Sequence, residues 1–279
     1  MFRMCCGENR PHRIRYLFML LPAVLCSCTS PSVQRPEAPA VSIVRVYRAY
    51  STLANPRSDM PVSIPAPLGE LMSRQITQPD GNTYQVIERG GATVLSPLLL
   101  ITSDHLGLGS KTGAMHIENQ GLIQSTVIDS AVGWEIRKLE KPILGMEPTR
   151  FVSHPEEFQN QKCLIPISCD IFKMNNPDSW PSIVYETDHG ICFLEGEVKS
   201  YVPQFTPPES IGHMLAIKLR SKLDLSGASG YPVLIFDEEK HNWVVLAVID
   251  KGSAEPTRNE TWILARYPDQ AQLDSHQAD

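Results

Sequence analysis

Long apolar runs are missing from this sequence of 279 residues. None reaches the roughly 18 apolar residues that a helix needs to cross a bilayer, which excludes a polytopic helical membrane protein. An excess of positive charge is missing as well: 25 Lys and Arg face 31 Asp and Glu, a formal net charge of −6. Neutralising a phosphate backbone needs a basic face, so nucleic acid is not an expected partner. The metal-ligand spacings C-x-x-C and H-E-x-x-H do not occur, so a structural or catalytic zinc is not expected. Sustained helical periodicity is scarce, with one candidate short helix near the C-terminus. What is present is globular composition, 42% hydrophobic and 20% charged, in a chain long enough to bury one large core or two small ones.

The first thirty residues read as an address. Arg3, Arg10, Arg13 and Arg15 precede an apolar stretch from Tyr16 to Cys26. Its length suits the core of a signal peptide and is too short for a membrane span. The stretch runs into Leu25-Cys26-Ser27-Cys28, which resembles the bacterial lipobox. That resemblance implies removal of residues 1–27 and lipidation of Cys28 as the new N-terminus. With four arginines gone, little positive charge is left to hold anionic lipid, so acyl chains must do the anchoring. The expected location is the bacterial cell envelope. Thr29 after the Cys favours the outer membrane, facing the periplasm, in a Gram-negative host. Beyond residue 28 only Cys163, Cys169 and Cys192 remain. An oxidising envelope permits one disulfide among them, and their spacing does not choose the pair.

Residues 28–40 are rich in Pro, Ser and Ala and read as a tether. Residues 41–80 form an extension of uncertain structure, because VSIVRVYRAY suits a strand or a helix and PVSIPAPLGE is Pro-rich. Residues 81–268 carry about a dozen short segments rich in Val, Ile, Leu and Tyr, punctuated by turn residues. ATVLS, LLLITS, KCLIPIS, YPVLIF and NWVVLAVI are examples. The pattern predicts an all-β domain, a barrel or a sandwich, rather than alternating β/α units. Residues 269–279 form a C-terminal tail.

Two segments carry chemistry. The first is Gly90-Gly91-Ala92-Thr93-Val94-Leu95-Ser96-Pro97 followed by LLLITSDHL, which ends on His105 and Leu106. The second is Leu225-Ser226-Gly227-Ala228-Ser229-Gly230-Tyr231-Pro232-Val233-Leu234. Together they resemble the chymotrypsin/trypsin-like serine protease superfamily, especially its bacterial envelope members. A hydrophobic strand, Thr, two residues and His come first; Gly-x-Ser-Gly-x-Pro and an apolar strand come later. The resemblance spans roughly residues 83–265 and implies two six-stranded antiparallel β-barrels with the site in the cleft between them. The rival Gly-x-Ser-x-Gly elbow fails, since Tyr231 follows Ser229 by two, and that fold places its His after the Ser.

The chemistry asks for these residue types. A serine hydroxyl is a poor nucleophile until an adjacent imidazole takes its proton, and the imidazole then returns that proton to the leaving amine. The resemblance thus implies His105 as general base, Ser229 as nucleophile, and the amides of Gly227 and Ser229 as oxyanion hole. Leu223, six residues before the nucleophile, falls where the specificity pocket is floored and implies an uncharged side chain before the cleaved bond. Two placements of the acid stay open. Asp129-Ser130-Ala131-Val132 offers Asp129 as orienter; aligning WEIRKL as the strand puts Gly133 there, with no carboxylate unless Asp129 or Glu135 reaches in. The expected function is a lipid-anchored serine endopeptidase acting on a protein or peptide. The alternative is a catalytically impaired relative that binds a peptide or protein partner.

Overall fold

The computed structural model describes residues 39, 42–51, 73–77, 83–106, 112–117, 120–199, 214–255 and 259–277. Cys28, the signal segment and nearly all of the expected tether lie outside the described residues. Those described form an all-β fold, and no helix among them is long and apolar enough to cross a membrane.

The first sheet contains β1 (Ile43–Ser51), β2 (Ser73–Thr77), β3 (Thr83–Ser96), β4 (Leu99–Thr102), β5 (Thr112–Ile117), β6 (Gly121–Ala131) and β7 (Trp134–Leu139). Its order is β1-β5-β6-β7-β4-β3-β2, and β1 also pairs with β3. Six strands therefore close into an antiparallel barrel, with β2 paired outside it to β3. The boundary expected at residue 81 needs correction, because β1 is a stave of this barrel. Val44 and Val46 are buried among Val94, Leu100, Ile123 and Leu139 inside it.

The second sheet contains β8 (Lys162–Ser168), β9 (Ile183–Glu186), β10 (Ile191–Lys199), β11 (Met214–Leu219), β12 (Pro232–Asp237), β13 (Asn242–Glu255) and β14 (Glu260–Arg266). Its order is β11-β14-β13-β12-β8-β10-β9, with a further β11–β10 pairing. β12 meets β8 at the single register pair Leu234↔Leu164. A bulge between Val233 and Leu234, which bends a strand and disturbs its pairing, lies at this seam. Of the two expected barrels, the described residues thus show one closed six-stranded antiparallel barrel beside a second, non-closed antiparallel sheet.

Alternation along β4 explains how the sheets join. Leu100 points into the barrel with Val44 and Val94, while Leu99 and Ile101 pack on Trp134, Ile136 and Val248 of β13. A strand buried on both faces reads as a continuous apolar run, which is what LLIT is. A C-terminal helix, α2 (Gln270–Gln277), adds Leu273 to the same cluster. Helix α1 (Cys169–Asn175) follows β8, and the Cys169–Cys192 disulfide ties its first residue to β10. Cys163 is free and buried in the second core.

Candidate active site

β4 ends at Thr102, and a single 3-10 turn, Asp104–Leu106, carries His105 out of the barrel. Leu106 anchors the turn from below by burying itself in the barrel core. Thr102 Oγ1 donates to the Gly91 carbonyl at 2.6 Å, which fixes the strand end to β3. The imidazole itself stays half exposed, facing the second sheet.

Ser229 sits in the loop before β12. The Gly91 amide donates to the Ser229 carbonyl at 2.9 Å, so the barrel wall holds the Ser229 loop directly. This backbone-to-backbone approach needs small residues: a Cβ on Gly230 would lie 2.1 Å from the Gly91 carbonyl oxygen. On its other side, Gly230 N donates to Ile249 O at 2.8 Å. The result is the contact that the two motifs imply: His105 Nε2 lies 2.9 Å from Ser229 Oγ, across 124 positions of chain.

Gly227 has φ +90°, a conformation that L side chains adopt at a cost, and a Cβ there would meet Ile171 of α1 at 3.1 Å. Among the described residues, the amides of Gly227 and Ser229 donate to no backbone carbonyl. The loop is clamped by α1 and the residue after it. Asn176 donates to Asp224 O and accepts from Asp224 N, both at 2.7 Å, and Asn175 reaches Ser226 O at 3.3 Å. The disulfide braces the helix that does this clamping.

Asp129 is not at the imidazole, and its expected place as orienter is corrected here. It lies on β6, with Oδ2 3.2 Å from His276 Nε2 of α2 and Oδ1 accepting from Ser130 N. Glu135 is also committed elsewhere, 2.7 Å from Arg137. Gly133, the other placement, brings no side chain, yet a carboxylate does reach the distal nitrogen. Asp250, on β13, puts Oδ1 3.3 Å from His105 Nδ1, and its side chain is only 3% exposed. Its Oδ2 accepts from Arg266 Nε at 3.0 Å. Burial opposes the charge on Asp250, but hydrogen bonds with His105 and then Arg266 outweigh it, leaving the carboxyl below its ordinary range. Two further groups face Nδ1: Ser103 Oγ at 2.8 Å, and Asp104 Oδ1 at 3.7 Å.

Motif inspection missed Asp250, Arg266 and Ser103. A signal for Asp250 was available: it closes the apolar run VVLAVI, where a carboxylate must be buried and so must have partners.

A cleft of about 860 Å³ opens beside these residues, lined by His105, Ser229, Asp250, Gly133, Asn175 and Leu223 among others. Leu223 is buried, with its amide donating to Thr261 Oγ1 at 2.7 Å. Among the described residues, two groups have ligand atoms spaced for a metal. In one, Cys169 and Cys192 are already joined as a disulfide. In the other, Asp104, His105 and Asp250, the Arg266 cation already neutralises Asp250 and opposes a second cation. No protein-family model and no curated protein matches the chain.

Proposed function

We propose that the protein is a serine endopeptidase of the chymotrypsin-like type, built on two barrel-like halves and held at the cell envelope by a lipid on Cys28. The observation that carries this is the His105 Nε2–Ser229 Oγ contact of 2.9 Å, formed between two motifs far apart in sequence. A carboxylate behind the imidazole supports it.

In this mechanism Ser229 Oγ attacks the carbonyl carbon of a peptide bond while His105 Nε2 takes the hydroxyl proton. Asp250 holds Nδ1–H and stabilises the imidazolium that forms. The carbonyl oxygen becomes negative and is received by the amides of Gly227 and Ser229. Preorganised donors of this kind lower the barrier by roughly 3–4 kcal/mol. The C–N bond breaks as His105 gives its proton to the leaving amine, leaving an ester on Ser229. Water then attacks that ester, again deprotonated by His105, and restores the enzyme. Leu223, in the cleft lining, favours an uncharged side chain before the cleaved bond.

The alternative, an impaired protease fold that only binds a peptide, drew its support from the lack of an acid at Gly133. Asp250 supplies that carboxylate from another strand, so the catalytic reading is preferred. Incubating the purified protein with a diverse peptide mixture and mapping new termini by mass spectrometry tests it. Cleavage after uncharged residues, lost in Ser229→Ala, is expected. Intact peptides with a folded wild type would overturn it.

A further inference from the structure

Arg266 ends β14, and its side chain is almost fully buried. It crosses from the second sheet toward the barrel. Its Nε holds Asp250 Oδ2 at 3.0 Å, leaving Oδ1 to face His105 Nδ1 at 3.3 Å. Its stem runs beneath the turn between β6 and β7. A Cβ built on Gly133 would lie 2.3 Å from Arg266 Cδ and 2.6 Å from Nε. Gly133 has φ +91°, and its amide donates to Asp104 Oδ2 at 3.0 Å. The turn is thus pinned by Asp104 on one side and lies against Arg266 on the other. Only a residue without a side chain leaves Arg266 this path.

We propose that Arg266 is a positioning residue for catalysis, which holds Asp250 in register with His105 from the space that Gly133 leaves open. The inference rests on the serine-hydrolase function proposed above. Arg266 does not touch the reacting atoms. It engages one carboxylate oxygen so that the other stays aimed at Nδ1, and it compensates a charge that would otherwise be buried alone. Without it, Asp250 turns to another donor or takes up a proton, and Nδ1 is left with Ser103, which already lies 2.8 Å away. Gly133 belongs to the same device, because any side chain there displaces the arginine.

The full chain and a fluorophosphonate probe that labels Ser229 provide the test. Arg266→Ala is expected to slow labelling by about 10- to 100-fold, the scale of a misplaced catalytic group. Millimolar guanidinium fills the vacated path and restores part of the rate in that variant, without accelerating the wild type. Arg266→Lys keeps the charge, guards against a folding defect and retains an intermediate rate. Gly133→Ala slows labelling in the wild type, and slows it by a smaller factor once Arg266 is already Ala, because only the strain of its positive φ then remains. A wild type that labels, beside a folded Arg266→Ala variant that labels equally fast or ignores guanidinium, would overturn the role of Arg266. A folded wild type that does not label would instead overturn the hydrolase function.

Discussion

Replacing Asp250 by Asn keeps the size of the side chain and removes its charge, which isolates what the carboxylate does for His105. At 3.3 Å from Nδ1, a unit charge pair at an effective dielectric of about 20 is worth about 5 kcal/mol. The imidazole is 46% exposed, so solvent screening lowers this to about 3 kcal/mol. Each 1.36 kcal/mol is a factor of about ten in rate, so Asp250→Asn should slow acylation by about 100-fold. In the reference serine protease triad the same change costs roughly 10⁴-fold, partly because the wrong tautomer is selected. A smaller loss is expected here, since Ser103 Oγ at 2.8 Å still accepts from Nδ1–H. The assay is the second-order rate of fluorophosphonate labelling, run beside Asp129→Asn. Asp129 contacts His276 rather than His105, so that variant should label within about twofold of wild type. A slow Asp129→Asn beside a fast Asp250→Asn would refute the assignment of the acid.

Three further outcomes follow from the same geometry. Gly227→Ala meets Ile171 at 3.1 Å with φ at +90°, so the loop must shift; labelling should fall at least about tenfold with the thermal midpoint lowered only a few degrees, and an unchanged rate would remove Gly227 from the oxyanion hole. The Cys169–Cys192 bridge closes a loop with a separation of 23, so replacing both by Ser should cost about 3 kcal/mol in denaturant unfolding, and should slow labelling because the clamp on Asp224 and Ser226 loosens. Asp250 has its carboxyl below the unfolded value of about 3.9, so the stability it contributes is complete above that value and is lost as pH falls through the folded one. Wild type should lose thermal stability more steeply than Asp250→Asn below about pH 4, and parallel curves would contradict the pairing with His105 and Arg266.

Much of this fold is written in local pattern. LLIT and VVLAVI are apolar runs because both faces of β4 and of this part of β13 are buried where the sheets meet. β1 is harder to see, since the alternation in IVRVYRAYS suits more than one element and a Pro-rich stretch follows it. Only its pairing with both β3 and β5, distant in sequence, makes it a barrel strand. The narrow joint between β12 and β8 in the second sheet lies at the β12 bulge, which no composition rule reveals. The disulfide is of the same kind: three cysteines allow several pairs, and only the packing of α1 beside β10 brings Cys169 to Cys192.

The site divides in the same way. His105 and Ser229 are legible because the segments around them are dictated by local needs: a buried strand end, a tight glycine turn, a proline shortly after the serine. The acid is not, because a carboxylate can reach an imidazole from any nearby strand. The register of WEIRKL points to Gly133, a residue in the right neighbourhood that has no side chain. Its lack of a side chain is matched by Arg266 from β14, which in turn holds Asp250 from β13. That three-residue relation exists only once the two sheets are packed together.

Intact-mass analysis after fluorophosphonate treatment, followed by peptide mapping, addresses the function itself. One adduct per chain should form on the peptide that contains Ser229, and Ser229→Ala and His105→Ala should both stay unmodified. A folded wild type that takes up no probe, or takes it up on another residue while Ser229 remains free, would contradict the nucleophile and the enzyme built around it.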